Sequence, residues 1–214
     1  MNGSDSSNPV RAGDPAAQAD LAGWFGKIPA LGDFVTRRLP RTFVDPWDAW
    51  LSAELVAAQD ALAEQWLPTY REAPIWRFAL MSGAIDRGRW FGLWLPSFDR
   101  VGRQFPLTFA VGSPPADTAQ RWWAAFVATG LRAVEPTCDA DGIEAALRES
   151  LGDRTTIEDC AEPFERRVAP VLARLGQASS LWWPWFARDP CGAVACTFDG
   201  LPRGEDFLKL LRAR

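Results

Sequence analysis

The sequence predicts an α/β fold of the α+β type, in which a mainly antiparallel central sheet is flanked by helices on both faces. Two strand-length apolar segments, 75–82 and 89–97, flank the turn signal Asp86-Arg87-Gly88, a pattern typical of a β-hairpin. Longer segments repeat apolar residues every three or four positions, as amphipathic helices do. Because hairpin-joined strands run antiparallel and the helices fall in separate groups, this order predicts a layered sheet-and-helix domain.

The first part of the chain predicts two short strands and a long helix. The strands are GWFGK (23–27) and FVTRRL (34–39), on either side of the loop IPALGD. Asp45 is a suitable N-cap and Pro46 suits the first helical position, so we expect the helix to begin there and to end at Pro68. Its apolar face is expected to comprise Trp47, Trp50, Leu51, Leu55, Ala58, Leu62 and Trp66.

The hairpin is expected to lie at the centre of the sheet. Its second strand, 89–97, carries apolar residues on both faces, which is typical of a strand that is covered on both sides. A third strand is expected at about 105–111, after the polar loop FDRVGRQ.

Two helices are expected after the break at SPPAD (113–117). The first starts at Asp117, where Gln120 completes a capping-box pattern, and the second runs from Asp141 to Leu151 with Glu144 in the corresponding place. The apolar stripe of the first helix is expected to comprise Trp123, Phe126, Val127, Leu131 and Val134.

The last part of the chain predicts a helix, a pair of strands and a closing helix. The helix is expected at 163–175. The apolar segments SLWWPWF (180–186) and GAVACTF (192–198) flank a turn at 188–190, and the closing helix is expected at 204–212.

Composition restricts the possible functions. The chain has 214 residues and a net charge of -4, which argues against a nucleic-acid partner, because such partners select a strongly basic face. It contains no histidine, which excludes Ser-His-Asp and Cys-His catalysis and histidine-ligated metals. We therefore expect a protein that is not an enzyme, with no catalytic residues, cofactor or metal.

The distribution of polar residues predicts one domain behind a tail. Residues 1–20 are rich in Ser, Asn, Gly, Asp and Ala and are expected to be disordered, whereas 21–214 form a single domain. No apolar stretch reaches the about 18 residues of a membrane span, and the N-terminus lacks a signal-peptide pattern. We expect a cytoplasmic protein without membrane insertion, whose four cysteines are buried thiols. Cys191 and Cys196 lack the second ligand pair of a zinc site.

The first candidate site is the segment 23–40, which is dense in Gly, Pro and charged residues. Gly32 suggests a backbone position with positive φ, and Asp33 is placed to pair with Arg37 or Arg38 in a structural turn. The functional alternative is a rigid recognition loop with a basic patch. Its interface candidates are Lys27, Asp33, Phe34, Arg37, Arg38 and Arg41.

The second candidate site is the loop PSFDRVGRQFPL (96–107), in which charged residues alternate with Gly102 between two apolar strands. Such a connection is either a solvated hairpin loop or a binding edge. Its interface candidates are Asp99, Arg100 and Arg103, and the fold is expected to bring both loops to one edge of the domain.

An enzymatic alternative uses the same two loops. A hydrolase would pair the carboxylates of Asp33 and Asp99, although no third acid or histidine supports them. A nucleotide-dependent switch would use Gly26-Lys27, but Ile28 stands where a Walker motif needs Ser or Thr.

The twelve tryptophans have two possible roles. Trp47, Trp50, Trp66, Trp90 and Trp94 fall on apolar stripes and are expected in the core. The cluster 182–185 contains Trp182, Trp183 and Trp185, and it is either core against the sheet, which we favour, or an aromatic interface.

Several segments resemble the TagF (ImpM) family of type VI secretion accessory proteins. GWFGKIPALGDFVTRRLP followed by FVDPWDAWL is similar to the opening of the family, and SFDRVGRQFPLT resembles its second signature. SLWW, and GLP followed by Phe207, resemble its C-terminal features, so the resemblance extends over about residues 22–211.

The resemblance implies a post-translational repressor that engages the cytoplasmic forkhead-associated scaffold protein Fha. It also implies a sandwich loosely like longin or profilin domains, which agrees with the antiparallel order. Some members are fused to a PP2C-type phosphatase, for which this chain has neither the length nor an aspartate-rich metal motif. No catalytic residues follow from the resemblance.

Overall fold

The computed structural model describes residues 22–114, 118–152, 167–186 and 195–213. Within these residues, one seven-stranded sheet has the strand order β2-β1-β5-β4-β3-β6-β7, and every neighbouring pair is antiparallel. The strands are β1 (Ala22–Gly26), β2 (Val35–Arg37), β3 (Ile75–Leu80), β4 (Trp90–Leu95), β5 (Leu107–Gly112), β6 (Ser179–Trp185) and β7 (Cys196–Asp199). The helices are α1 (Arg41–Leu62), α2 (Trp66–Glu72), α3 (Ala119–Ala133), α4 (Ala140–Gly152), α5 (Ala169–Leu172) and α6 (Glu205–Arg212), with a 3₁₀ turn at Ala63–Gln65.

The predicted hairpin lies at the centre of this sheet. All six residues of β4 are buried, and successive side chains point to opposite faces. Leu93 packs in the cluster that includes α3 and α4, whereas Trp90 and Trp94 pack in the cluster that includes α1, α2 and α6. The prediction of a central strand with helices on both faces is therefore confirmed.

The tryptophan cluster 182–185 divides between the two faces of the sheet. Trp182 is fully buried and stacks parallel to Trp47, with ring centroids 6.2 Å apart, whereas Trp183 contacts Trp123 on the opposite face. Trp185 is half-buried. Since adjacent strand residues alternate in direction, these side chains belong to two cores, and the favoured core interpretation is confirmed for Trp182 and Trp183.

Both predicted ends of the first long helix are wrong. Helix α1 begins at Arg41, because Phe43 stacks on Trp47 and extends the buried stripe upstream of Pro46. Pro46 therefore lies inside the helix, where it has no N–H for the hydrogen bond to the residue four positions earlier. The helix ends at Leu62, and Pro68 is the third residue of α2. A proline is tolerated there, because the first N–H groups of a helix have no intrahelical acceptor.

Smaller differences concern side chains at helix and strand surfaces. Leu131 was expected on the buried stripe of α3, but its side chain is 44% exposed. Cys196 lies exposed on the edge strand β7 rather than buried, and Cys138 is half-buried. The predictions for residues 1–21, for Asp117, for the turn 188–190 and for residues 163–166 of the helix at 163–175 lie outside the described residues. Within the described remainder of that helix, α5 spans only Ala169–Leu172, so the helix ends before the predicted Leu175.

The C-terminal helix is fastened to the long helix by polar contacts. Its N-cap Gly204 donates its backbone N–H to the buried carboxylate of Glu54, 2.8 Å away, and the indole N–H of Trp50 donates to the carbonyl of Pro202. The carboxylate stands at the positive end of α6, which is the favourable place for an anion. None of the described helices combines the length and apolarity that crossing a membrane requires.

Candidate protein interface

The two candidate loops lie side by side at one edge of the domain. Because β1 pairs antiparallel with β5, the residues that follow β1 meet the residues that precede β5. The backbone N–H of Arg100 donates to the carbonyl of Leu31 at 2.8 Å, and the Ser97 hydroxyl donates to the carbonyl of Lys27 at 2.7 Å. We call residues 27–41 and 96–106 together the loop edge. The expectation that the fold brings both loops together is confirmed.

A buried carboxylate holds the loop edge together. The side chain of Asp99 is 0% exposed, and its Oδ2 lies 3.1 Å from the ammonium of Lys27 and 2.7 Å from Nε of Arg103. Its Oδ1 accepts the backbone N–H groups of Val101 and Arg103. The guanidinium of Arg103 then donates to the carbonyl of Gly32 in the other loop. One carboxylate thus joins both loops through charge-assisted hydrogen bonds.

These contacts keep Asp99 ionised. Burial works to raise the pKa of its carboxyl, but hydrogen bonds from the Arg103 backbone, from the side chains of Lys27 and Arg103, and from the Val101 backbone outweigh it. The pKa of Asp99 is held well below its ordinary value. Lys27 was expected to contribute to a basic patch, but its side chain is only 8% exposed. Its charge is compensated inside the domain.

The second loop is a tight hairpin with its own fixed conformation. The backbone N–H of Asp99 donates to the carbonyl of Arg103, and Gly102 adopts φ 86°. The buried hydroxyl of Tyr70 donates to the carbonyl of Ser97 at 2.8 Å and accepts the Ser97 N–H at 3.1 Å. Burial raises the pKa of Tyr70 far above its ordinary value, so this hydroxyl stays protonated.

The prediction of positive φ at Gly32 is wrong, because that conformation occurs at Gly26 and Gly102 instead. Gly26 adopts φ 140°, and a Cβ there would clash with the carbonyl of Pro106. The close approach of the two loops therefore depends on Gly26, the last residue of β1, rather than on Gly32.

Phe34 is an exposed aromatic residue in a fixed position. Its side chain is 43% exposed, yet its ring stacks on Phe25 at 5.7 Å and meets the edge of Phe105 at 4.7 Å. The ammonium of Lys27 lies 5.0 Å from the ring centroid, within cation–π range. Because Lys27 is itself bound to Asp99, the orientation of Phe34 depends on the buried ion pair.

The remaining surface of the loop edge combines apolar and basic side chains. Phe98 is 41% exposed and Val101 is 70% exposed. Its exposed arginines include Arg37, Arg41, Arg100 and Arg103. The Nη2 atom of Arg100 lies beside Gly32, whose carbonyl accepts from Arg103, so the two guanidinium groups flank the same residue.

Arg38 has a structural partner that the sequence did not indicate. Its Nη2 lies 2.9 Å from Oε2 of Glu144 in α4, and its Nε donates to the carbonyl of Ala22. Glu144 also accepts the indole N–H of Trp24, so the capping role predicted for it is wrong. The N-terminal turn of α4 is bonded instead by Asp139, which accepts the N–H of Gly142.

The predicted ion pair of Asp33 is wrong, because Asp33 pairs with neither Arg37 nor Arg38, and its carboxylate accepts the N–H of Phe34. Both carboxylate oxygens of Asp99 are bonded within the loop edge, to Lys27, to Arg103 and to the backbone N–H of Val101. Among the described residues, no group of three Cys, Asp or Glu side chains is placed to hold a metal ion.

Comparison with known proteins places the chain in a family. The crystal structure of PA0076 from Pseudomonas aeruginosa PAO1 is similar, with a TM-score of 0.69 and 27% sequence identity over 90% of this chain and 94% of that chain. No curated protein matches this sequence significantly. The family model described as the TagF N-terminal domain, type VI secretion system-associated, matches residues 23–150, which are more than half of the chain. The resemblance seen in the sequence motifs is therefore confirmed, and the chain belongs to the TagF family of type VI secretion system-associated proteins.

Proposed function

We propose that this chain is a post-translational repressor of a bacterial type VI secretion system and that it binds the cytoplasmic forkhead-associated scaffold protein Fha. Membership of the TagF family supports an association with this system. The family resemblance supports the repressor role and the partner. In this proposal the protein acts in the cytoplasm, without catalysis, by covering or displacing a surface of the scaffold.

We place the binding site for the partner at the loop edge. Two loops are fastened to each other by Asp99, and they present exposed apolar and basic side chains in fixed positions. A surface that is ordered before binding loses little conformational entropy when a partner docks. Aromatic and arginine side chains are also the residue types that contribute most to protein–protein interfaces.

Turnover at the same loops has less support. The acid that a hydrolase would use there is Asp99, and its carboxylate is already bonded to Lys27, Arg103 and two backbone N–H groups. A general acid or base needs a pKa near the working pH, whereas the pKa of Asp99 lies far below it. We therefore propose binding as the activity of the loop edge.

The proposal is tested in a strain that lacks the chromosomal copy of the gene. Expression of the full chain is expected to suppress type VI secretion into the culture supernatant, and the tagged chain is expected to co-isolate with Fha. Secretion that continues at its full rate, with the chain present at normal levels, would contradict the repressor role.

Two arginine variants test whether the loop edge, rather than any other part of the surface, is the binding site. The double variant Arg37→Glu, Arg100→Glu changes two exposed arginines of the loop edge, whereas Arg71→Glu changes an exposed arginine on α2. The double variant is expected to restore secretion and no longer to co-isolate with Fha. Arg71→Glu is expected to behave as the wild type in both assays. Equal repression by both variants would exclude the loop edge as the site.

A further inference from the structure

The charge of the loop edge is opposite to that of the chain as a whole. It contains six cationic and two anionic residues, in a protein whose net charge is -4. One of the two acids, Asp99, is buried against Lys27 and so presents no charge to a partner. Lys27 is compensated by Asp99 in turn, and Arg38 is paired with Glu144. The outward-facing charge of this surface is therefore positive, because Arg37, Arg41, Arg100 and Arg103 outnumber Asp33, its exposed acid.

Two arginines of the loop edge lie close together beside Gly32. The guanidinium groups of Arg100 and Arg103 both lie beside Gly32, and the side chain of Arg103 remains 61% exposed although it bonds to Asp99 and Gly32. Arginines held close together attract carboxylates of a partner and favour bidentate hydrogen bonds with them.

An apolar anchor stands next to these charges. Phe34 follows the Gly32-Asp33 pair, and its ring is held by Phe25, Phe105 and the cation of Lys27 while nearly half of its surface stays in solvent. Of the six large apolar side chains that are exposed in the described part of the chain, three belong to the loop edge, namely Phe34, Phe98 and Val101. Exposed apolar side chains held in place beside charges are typical of a recognition surface.

We infer that the loop edge binds an acidic segment of the partner protein, in which an apolar side chain packs against Phe34 and flanking carboxylates face Arg37, Arg100 and Arg103. The inference rests on the proposed function, because it states which chemistry the scaffold protein would present to this surface. Charge complementarity selects an acidic occupant, and it disfavours a symmetric contact between two copies of the chain, in which two positive loop edges would face each other.

The test measures the affinity of the purified full-length chain for purified Fha by calorimetry. Phe34→Ala is expected to weaken binding about thirtyfold, as truncation of a central aromatic anchor does. Arg37→Glu combined with Arg100→Glu is expected to weaken it at least about tenfold, mainly by slowing association. Leu131→Ala on α3 and Arg71→Glu on α2 are the matched controls and are expected to bind as the wild type. Thermal unfolding of each variant checks that the fold is retained.

Ionic strength distinguishes an acidic partner from an apolar one. Wild-type affinity is expected to fall several-fold between about 0.05 and 0.3 M salt, and the double arginine variant is expected to show a smaller dependence. Wild-type binding that is insensitive to salt would overturn the inference, as would unchanged affinity of the loop-edge variants. The proposed function would survive that second result, since the scaffold would still be bound elsewhere.

If the wild-type chain does not bind Fha at all, the proposed partner is wrong, and the secretion assay then decides the inference. Loss of repression by Phe34→Ala and by the double arginine variant, but not by the two controls, would support an acidic partner other than Fha. Repression retained by all variants would overturn it. Flotation with phosphatidylglycerol vesicles that depends on Arg37 and Arg100 would also overturn it, by identifying an anionic membrane surface instead.

Discussion

Replacement of Asp99 by asparagine is expected to destabilise the whole domain through the charge that it leaves unpaired. The substitution keeps the shape of the side chain, and Oδ1 still accepts the N–H groups of Val101 and Arg103. The new amide nitrogen, however, takes the place of Oδ2, which lies 3.1 Å from the ammonium of Lys27 and 2.7 Å from Nε of Arg103. Three donors then face one another, and Lys27 keeps a buried charge without a counter-ion.

The size of the effect follows from burial. Removing one partner of a buried ion pair costs about 3–5 kcal/mol, because the other charge remains desolvated. Solvent screening reduces this little, since the side chains of Asp99 and Lys27 are 0% and 8% exposed. Arg103 is 61% exposed and can turn into water, so it adds little. For a domain of this size, the loss corresponds to a fall in Tm of roughly 6–20 °C.

Urea unfolding followed by tryptophan fluorescence measures this loss directly. The matched control is the double variant Lys27→Met, Asp99→Asn, which removes both buried charges and is expected to recover most of the lost free energy of unfolding. A loss below about 1 kcal/mol in Asp99→Asn would refute the reasoning, because it would mean that Lys27 is not held as a buried cation. Additive losses in the double variant would refute it as well.

Three further predictions concern the groups that hold the same region. Because the folded-state pKa of Asp99 lies well below its unfolded value, its stabilisation is complete above about pH 5 and is lost as the pH falls toward the folded pKa. The difference in urea midpoint between the wild type and Asp99→Asn should therefore narrow, without vanishing, between pH 7 and pH 3, and a constant difference would contradict this. Tyr70→Phe leaves the buried N–H of Ser97 without its acceptor and should lower the free energy of unfolding by about 1–3 kcal/mol, measured by urea unfolding. Thr108→Val removes the acceptor of the Trp47 indole N–H at 3.0 Å and should cost about 1–2 kcal/mol by the same measurement, whereas an unchanged midpoint would show that this hydrogen bond contributes nothing.

The sequence predicts those parts of the fold in which the signal is local. Strand β4 carries apolar side chains on both faces, which indicates a central strand without knowledge of its neighbours. Gly204 precedes an amphipathic segment and indicates the start of the last helix. The start of α1 was wrong, because Phe43 packs against Trp47 and Trp90, and this tertiary contact outweighs the local signals at Asp45 and Pro46.

The candidate site was predictable only in outline. The concentration of Gly, Asp and Arg indicated two loops as candidates, and the structure places them in contact. The pairing of individual charges was not predictable from the sequence. Arg38, for example, pairs with Glu144 in α4, which lies 106 positions further along the chain. Lys27 and Asp99 are separated by three strands and two helices in the chain, and their burial together depends on the alignment of β1 with β5. Periodicity and turn rules carry no information about such long-range charge pairs.

Hydrogen exchange of the full-length chain with and without Fha tests most directly whether the loop edge is the binding surface. The account predicts that Fha slows exchange of backbone amides at 31–38 and 98–103, and leaves the exposed face of α3 around Leu131 unchanged. Protection confined to another surface, or no protection under conditions in which Fha binds, would contradict it.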